Sequence, residues 1–400
     1  MPRVRYPLPL FTPLVAAATA LVAAQTFAAV VVLRRLLSGR RRPPPVAPRD
    51  DGPADAVTVV VPTYNEARRL APCLAGLARQ SDVLAEVLVV DSRSTDGTRA
   101  LVERAAERDA RIRLLTDPPR PDGWIGKVWA LQHALARVRT PWVLGVDADT
   151  VPAPGLVGGV LAAALDGSYD VVSFSPRFVG LARGERWLQP AILATLVYRT
   201  GAPGSDDPER VLANGQCFLA RRDVLLAAGG YEAARASWAD DVTLARALAR
   251  RGARVGFLDG ARLYDVRAYA STREMWREWG RSVDLRDATT PARQWGDLAV
   301  LALAQAAPLW VAIGAAWWLA AGSAAARPAA AALLGVNALL LGVRGALLRA
   351  LAGSYAERVA LFWLSPLADP AAVFRIFLST VRRQRRWRGR AFPGAAGDHE

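Results

Sequence analysis

The sequence predicts an α/β domain, a mostly parallel sheet with helices on both faces, carried on transmembrane α-helices. Composition is the first sign: 52% hydrophobic content and a mean hydropathy of +0.15 are too apolar for an ordinary soluble enzyme, yet 22% charged residues are too many for a membrane bundle alone. The second is the set of long apolar runs near both ends of the 400-residue chain. The third lies between them, where short β-branched runs alternate with helical periodicity, as successive βαβ units do.

Taken in order, Leu10 to Leu33 carries no charge for about 24 residues, enough to cross a hydrocarbon core of about 30 Å. A cleavable signal peptide would want its positive charge before the apolar run, and here Arg34, Arg35 and Arg40 to Arg42 follow it. Residues 1–37 are therefore expected to stay in the membrane with the carboxyl end in the cytoplasm. The Pro- and Arg-rich stretch 38–54 reads as a stiff polar linker.

Residues 55–290 hold the α/β pattern. Val57 to Val61 is a β-branched strand closed by Pro62, and Ala67 to Arg79 places Leu70, Leu74 and Leu77 at helical spacing. Val87 to Val90 is the next strand, ending at Asp91. Arg99 to Arg108 reads as helix, Ile112 to Leu115 as strand, Val128 to Arg137 as helix and Trp142 to Val146 as strand. Residues 291–350 then supply a transmembrane hairpin, Leu298 to Ala321 and Ala329 to Leu348, turning at Arg327-Pro328; Arg344 in its second arm is expected to snorkel or pair. Pro366, Asp369 and Pro370 interrupt the last apolar run. Residues 351–381 are thus expected as broken interfacial or re-entrant helices, with a fourth full span as the alternative, before a basic tail at 382–400.

The net charge of +15 clusters beside the apolar runs, at Arg34 to Arg42 and Arg382 to Arg390, without any nucleic-acid-binding motif, which favours an anionic membrane surface over nucleic acid. Cys73 and Cys217 lack metal-ligand or redox spacing and read as small core residues. The sequence sets no oligomeric state.

The chemistry concentrates where strands end. Asp147 and Asp149 flank Ala148 at the close of an apolar strand, placing two carboxylates at the sheet edge where open α/β sheets bind ligands and where a divalent cation can join carboxylate to diphosphate. Lys127 is the single lysine among 51 Lys plus Arg. A compact ammonium after Gly126 suits close approach to a phosphate or carboxylate better than a wide guanidinium does. His133 reads as packing, and His399 suggests nothing.

Val61-Pro62-Thr63-Tyr64-Asn65-Glu66, Val90-Asp91-Ser92-Arg93-Ser94-Thr95-Asp96-Gly97-Thr98 and Asp147-Ala148-Asp149, in that order, resemble family 2 glycosyltransferases of the Rossmann-like GT-A fold over about residues 55–290. Gly123-Trp124-Ile125-Gly126-Lys127-Val128-Trp129-Ala130, Asn214-Gly215-Gln216 and Trp387-Arg388-Gly389-Arg390 are similar to the membrane-anchored branch that glycosylates lipids, the carotenoid and hopene-associated glycosyltransferases. The resemblance implies donor binding by Pro62, Thr63, Tyr64, Asn65, Glu66, Asp91, Lys127, Asp147 and Asp149. Within that set Asp91 faces the base, Asp147 binds ribose or lies behind it, and Asp149 holds Mg²⁺ or Mn²⁺ against the diphosphate. It also implies that Asp241 is the general base with Asp240 as its neighbour, in place of the usual Glu-Asp pair. Ser237-x-x-Asp240 equally reads as a capping box that merely opens a helix.

Trp124, Asn214, Gly215 and Gln216 are candidates for donor sugar or acceptor, together with Trp276, Arg277 and Arg281 from a segment that reads equally as an interfacial amphipathic helix. Arg186-Trp187 through Tyr198 suits a helix on the membrane surface or a plain core helix. The Gln-x-x-Arg-Trp string of processive synthases is missing after the base, which argues for single transfer. The expected activity is an inverting transfer from a nucleotide sugar, first choice a UDP-sugar, to a lipid hydroxyl at the inner membrane, first choice a carotenoid. A polyprenyl-phosphate or other glycolipid glycosyltransferase is the alternative enzyme, and a silent membrane scaffold the alternative from another class.

Overall fold

The computed structural model describes residues 11–37, 43–180, 182–201, 207–267, 269, 271–282, 285–382, 386–387 and 390–391. The Arg40 to Arg42 cluster and most of the basic tail lie outside them. Helix α1 (Phe11–Leu37) leads in. The first half of the α/β domain runs β1 (Val57–Thr63), α2 (Leu70–Leu77), β2 (Leu84–Asp91), α3 (Thr98–Ala106), β3 (Ile112–Leu115), α4 (Gly126–Leu135) and β4 (Trp142–Val146). The second half runs β5 (Thr150–Pro152), α5 (Leu156–Asp166), β6 (Val171–Ser175), β7 (Arg177–Phe178), α6 (Arg183–Thr200), β8 (Cys217–Arg221), α7 (Arg222–Ala227), α8 (Asp240–Arg250), β9 (Val255–Asp259) and β10 (Tyr264–Val266).

A seven-stranded sheet in the order β3-β2-β1-β4-β8-β6-β9 forms the centre. It is parallel except at β8, which runs antiparallel to both β4 and β6. Alternation along β1 explains the layers: Val57, Val59 and Val61 bury against α2 and α5, while Val60 turns to the other face beneath α4 and α8. Both cysteines are buried in the first of these cores. A smaller sheet, β5-β10-β7, sits beside it.

The remaining chain is helical: α9 (Thr272–Ser282), α10 (Pro291–Leu301), α11 (Pro308–Ala321), α12 (Arg327–Leu351), α13 (Ala360–Trp363) and α14 (Asp369–Val381). Among the described residues two helical stretches, Pro13–Leu37 and Arg327–Ser354, are long and apolar enough to cross a membrane, and a bent pair, Pro291–Ala306 with Pro308–Ala321, is a broken span or a re-entrant loop. The bend falls within the apolar run Leu298 to Ala321 that the sequence offers as a candidate span. A π-helical turn at Ala302–Ala306 widens the backbone just before Pro308, which has no N–H to give, and the axis turns by 49°.

Polar pairs lock this bundle. Gln25 and Asn337 exchange two amide hydrogen bonds of 2.8 Å between α1 and α12, both side chains fully buried. Arg344 grips Asp369 at the head of α14, with Nε 2.9 Å from Oδ2, and Gln305 donates to the same carboxylate. Helix α6 bridges the two halves, packing Leu188, Ala191 and Ile192 against Val32 of α1, Leu301 of α10 and Ile376 of α14.

Several local expectations shift for physical reasons. Helix α2 begins at Leu70 rather than Ala67, because the amides of Glu66 and Ala67 are spent on Thr98 Oγ1 and Asp96 Oδ2. Helix α4 begins at Gly126, two residues early, since Ile125 is extended and donates its N–H to Arg235 O. Ser237 makes no cap; its hydroxyl bonds Thr243 Oγ1 at 2.7 Å and Ala239 is the residue before α8. The linker packs rather than floats: Val46 N–H donates to Asp259 O, and Arg49 lies so close to α5 that a Cβ on Gly158 would stand 2.2 Å from its carbonyl oxygen.

Candidate active site

Four carboxylates and one ammonium converge over the carboxyl ends of β1 and β4. Asp147 follows β4 directly, and its Oδ1 lies 2.8 Å from Lys127 Nζ in the first turn of α4. The same ammonium is 3.7 Å from Asp240 Oδ2, the first residue of α8. Burial works against a charged lysine, but Asp147, Asp240 and Asp241 outweigh it and hold the Lys127 pKa above its ordinary value.

Asp241 is aimed by the backbone: Gly215 N–H donates to Oδ2 at 2.7 Å and its neighbour Val242 N–H to Oδ1 at 2.8 Å. Burial and the adjacent Asp240 nevertheless raise its pKa to about 7, against the lowering pull of Lys127 and those amides. A carboxylate so poised suits proton abstraction near neutral pH. Gly215 lies close to both groups: a Cβ there would stand 2.8 Å from Lys127 Nζ and 3.5 Å from Asp241 Cβ. Its neighbours form a small amide turn, in which Gln216 N–H donates to Asn214 Oδ1 and Asn214 Nδ2 donates to Gln216 Oε1, both at 3.1 Å.

The turn after β1 is tied to the loop after β2. Asn65 adopts φ 55°; its N–H donates to Ser94 Oγ at 2.9 Å and its Oδ1 accepts from Thr95 N–H at 2.8 Å. Asp91 is buried, accepts from Ser94 N–H, and so shapes this loop from beneath.

A cavity of about 730 Å³ gathers these groups. Pro62, Thr63, Tyr64 and Glu66 line one end of it, and Lys127, Asp147, Asp149, Asp240 and Asp241 line the middle with the 214–216 turn. From there it runs on between three helices, lined by Leu33 and Leu36 of α1, Ile192 and Leu196 of α6, and Val343 and Leu347 of α12. Asn65, Asp91, Trp124, Trp276 and Arg277 are not among the lining residues. Trp124 is buried edge-on against Trp129, Trp276 lies under the Arg375 guanidinium, and Arg277 is exposed beside Glu278. The side chain of Arg281 is outside the described residues. Arg120, Gln189, Trp238 and Tyr269 also line the cavity. No local motif marks them, although Gln189 shares one helical stripe with Ile192, Leu193 and Leu196, a spacing visible in the sequence.

Comparison with known proteins agrees with this architecture. Residues 58–227 match the family described as Glycosyl transferase family 2. A lipopolysaccharide core biosynthesis glycosyltransferase, LpsC of Rhizobium meliloti, is 38% identical over 85 residues, 21% of this chain and 28% of that protein. Dolichyl-phosphate beta-glucosyltransferase ALG5C of Trichomonas vaginalis is 36% identical over 100 residues, 23% of this chain and again 28% of the relative. The chain thus matches little more than a quarter of the length of these curated relatives. Among solved structures, the mannosyltransferase PcManGT from Pyrobaculum calidifontis, in complex with GDP-Man and Mn²⁺, superposes with a TM-score of 0.55 at 22% identity. That likeness covers 92% of this chain and 99% of the other, and it is one of fold. The matched segment makes residues 58–227 similar to family 2 glycosyltransferases, on an α/β fold like that of the solved mannosyltransferase.

Proposed function

We propose that the protein is an inverting glycosyltransferase that moves one sugar from a nucleotide-diphosphate sugar to a hydroxyl of a membrane lipid at the cytoplasmic face of the inner membrane. A single observation carries this reading: the cavity holding the carboxylates continues without a break between α1 and α12, the two helices long and apolar enough to span a membrane. A hydroxyl on an apolar chain is the acceptor that such a cavity would admit. The donor occupies the polar end, a UDP-sugar by the resemblance of its turn and loop residues.

A divalent cation belongs with that donor. Among the described residues no group of three His, Cys, Asp or Glu forms a cage. A hard cation bound to a diphosphate needs only one or two carboxylates beyond the phosphate oxygens, and Asp149 would supply one, with Asp147 beside it held by Lys127. Mg²⁺ or Mn²⁺ held there would neutralise charge on the departing nucleoside diphosphate. This chain's own residues do the rest. Asp241, oriented by the Gly215 and Val242 amides, takes the proton of the acceptor hydroxyl as that oxygen bonds the anomeric carbon. Lys127 holds Asp147 and Asp240 in place, and the apolar helices exclude water that would otherwise compete as acceptor.

The lining favours a neutral acceptor over a polyprenyl phosphate. Among the described lining residues the cations are Arg120, which donates to Trp124 O, and Lys127, which is taken up by carboxylates. A phosphate would enter against five aspartates and Glu66. A carotenoid alcohol remains the first choice of acceptor. Mass spectrometry of lipid extracts from cells with and without the gene is the test: a hexose-sized gain on a carotenoid supports it, and a gain only on polyprenyl phosphate removes it.

A further inference from the structure

Among the described residues lining the apolar part of the cavity, one side-chain amide carries an oxygen without a partner. Gln189 on α6 is 2% exposed, lines the cavity, and its Oε1 has no hydrogen-bond partner. Its companions on that face of the helix, Ile192, Leu193, Leu196 and Val197, are all apolar and all line the same space. Across from them, α12 presents Val343, Leu347 and Leu351. An amide stranded in such a wall is costly unless something that enters the cavity completes it.

Its position defines what that something carries. Leu196 packs toward Ala239 and Val242, beside the carboxylates, so the catalytic end of the stripe is known. Gln189 stands seven residues back along the helix, about 10 Å at 1.5 Å per residue. A side-chain amide offers both a donor and an acceptor. Its complement is an oxygen function on an otherwise apolar molecule, whereas a plain hydrocarbon tail would leave it unsatisfied.

We propose that Gln189 is a specificity-determining residue for the acceptor, hydrogen-bonding a second hydroxyl or carbonyl that the lipid carries about 10 Å from the hydroxyl that reacts. The acceptor class is therefore a lipid diol or keto-alcohol, not a simple mono-alcohol. This rests on the lipid-acceptor reading above and adds a chemical requirement to it.

The test uses the full-length protein in lipid nanodiscs, with Mn²⁺ and the nucleotide sugar it hydrolyses. Acceptors are a long-chain alkanol and a series of alkanediols whose second hydroxyl is set progressively farther away, alongside lipids extracted from native membranes. Wild type should show a KM for the best-matched diol about tenfold below that for the mono-alcohol. In Gln189→Leu and Gln189→Met that preference should vanish while kcat changes by less than about twofold, since uniform binding is what has been removed. Two variants of similar volume guard against misfolding, which thermal unfolding would expose. Equal KM for mono-alcohol and every diol in wild type, or a preference unchanged in both variants, overturns the proposal and leaves the lipid reading standing; a site filled by ordered water gives that result. Nucleotide-sugar hydrolysis with no transfer to any alcohol or native lipid removes the lipid reading, and this proposal with it.

Discussion

Lys127 Nζ stands 2.8 Å from Asp147 Oδ1, so the only lysine in the chain joins the first turn of α4 to the strand end that carries the aspartate pair. With Asp240 at 3.7 Å, the ammonium sits between the carboxylates of β4 and α8 and offsets their mutual repulsion.

Replacing Lys127 should therefore disturb geometry more than charge. Lys127→Arg keeps the charge but not the shape, replacing a compact ammonium held between Asp147 and Asp240 by a wide planar guanidinium. Transfer should fall about a hundredfold, the scale of a misplaced catalytic group, with thermal stability little changed. Wild-type rates in Lys127→Arg would remove this role.

Gly215→Ala tests the same contact from the backbone side. Its new Cβ would meet Lys127 Nζ at 2.8 Å and push the ammonium off Asp147. The expected result is a kcat lowered about tenfold or more with donor affinity also weakened. Unchanged kinetics would show that the ammonium can relocate freely.

The raised pKa of Asp241 predicts a pH limb. A general base works deprotonated, so kcat should fall as pH drops through about 7. The neighbours move that limb in opposite directions: Asp240→Asn removes a raising charge and should shift it to lower pH, while Lys127→Ala removes a lowering one and should shift it higher. A pH–rate profile identical in all three proteins would assign the limb to another group.

Asp149→Ala should abolish the dependence of donor hydrolysis on Mn²⁺ and cost about a hundredfold or more in rate, the usual scale for losing charge stabilisation on a leaving group. Chelation of wild type with EDTA should give the same loss and reverse on adding the cation back. Full activity of Asp149→Ala would exclude it as a metal ligand.

Among the described residues Arg344 and Asp369 form the most buried ion pair of the helical half, at 2% and 3% side-chain exposure. Arg344→Leu alone leaves the carboxylate uncompensated and should destabilise by about 3–5 kcal/mol. The double variant Arg344→Leu, Asp369→Leu should recover much of that loss. Unfolding temperatures in detergent will show whether the second change rescues the first.

Much of the fold is legible locally. The valines of β1 and the leucines of α2 announce their faces by periodicity, and the long apolar helix at α1 follows from its composition alone, because each depends on residues a few positions apart. Boundaries are less legible. Whether Glu66 and Ala67 join a helix depends on Asp96 and Thr98, some thirty residues away, and the kink before Pro308 depends on a π-turn that no spacing announces.

The sequence by itself determined which groups are available: strands that end in carboxylates, one lysine in a chain of arginines, and apolar helices on either side of a sheet-forming segment. Tertiary structure alone decided which of them meet. It brings Lys127, Asp147, Gly215 and Asp241 within hydrogen-bonding reach of one another or of shared partners, and leaves Trp276 and Arg277 outside the cavity they had been expected to line. The physical reason is that periodicity records short-range preference. A site is made where the sheet edge, two helix starts and a glycine turn are forced together by burial on both sides of the sheet, and no local spacing encodes that meeting.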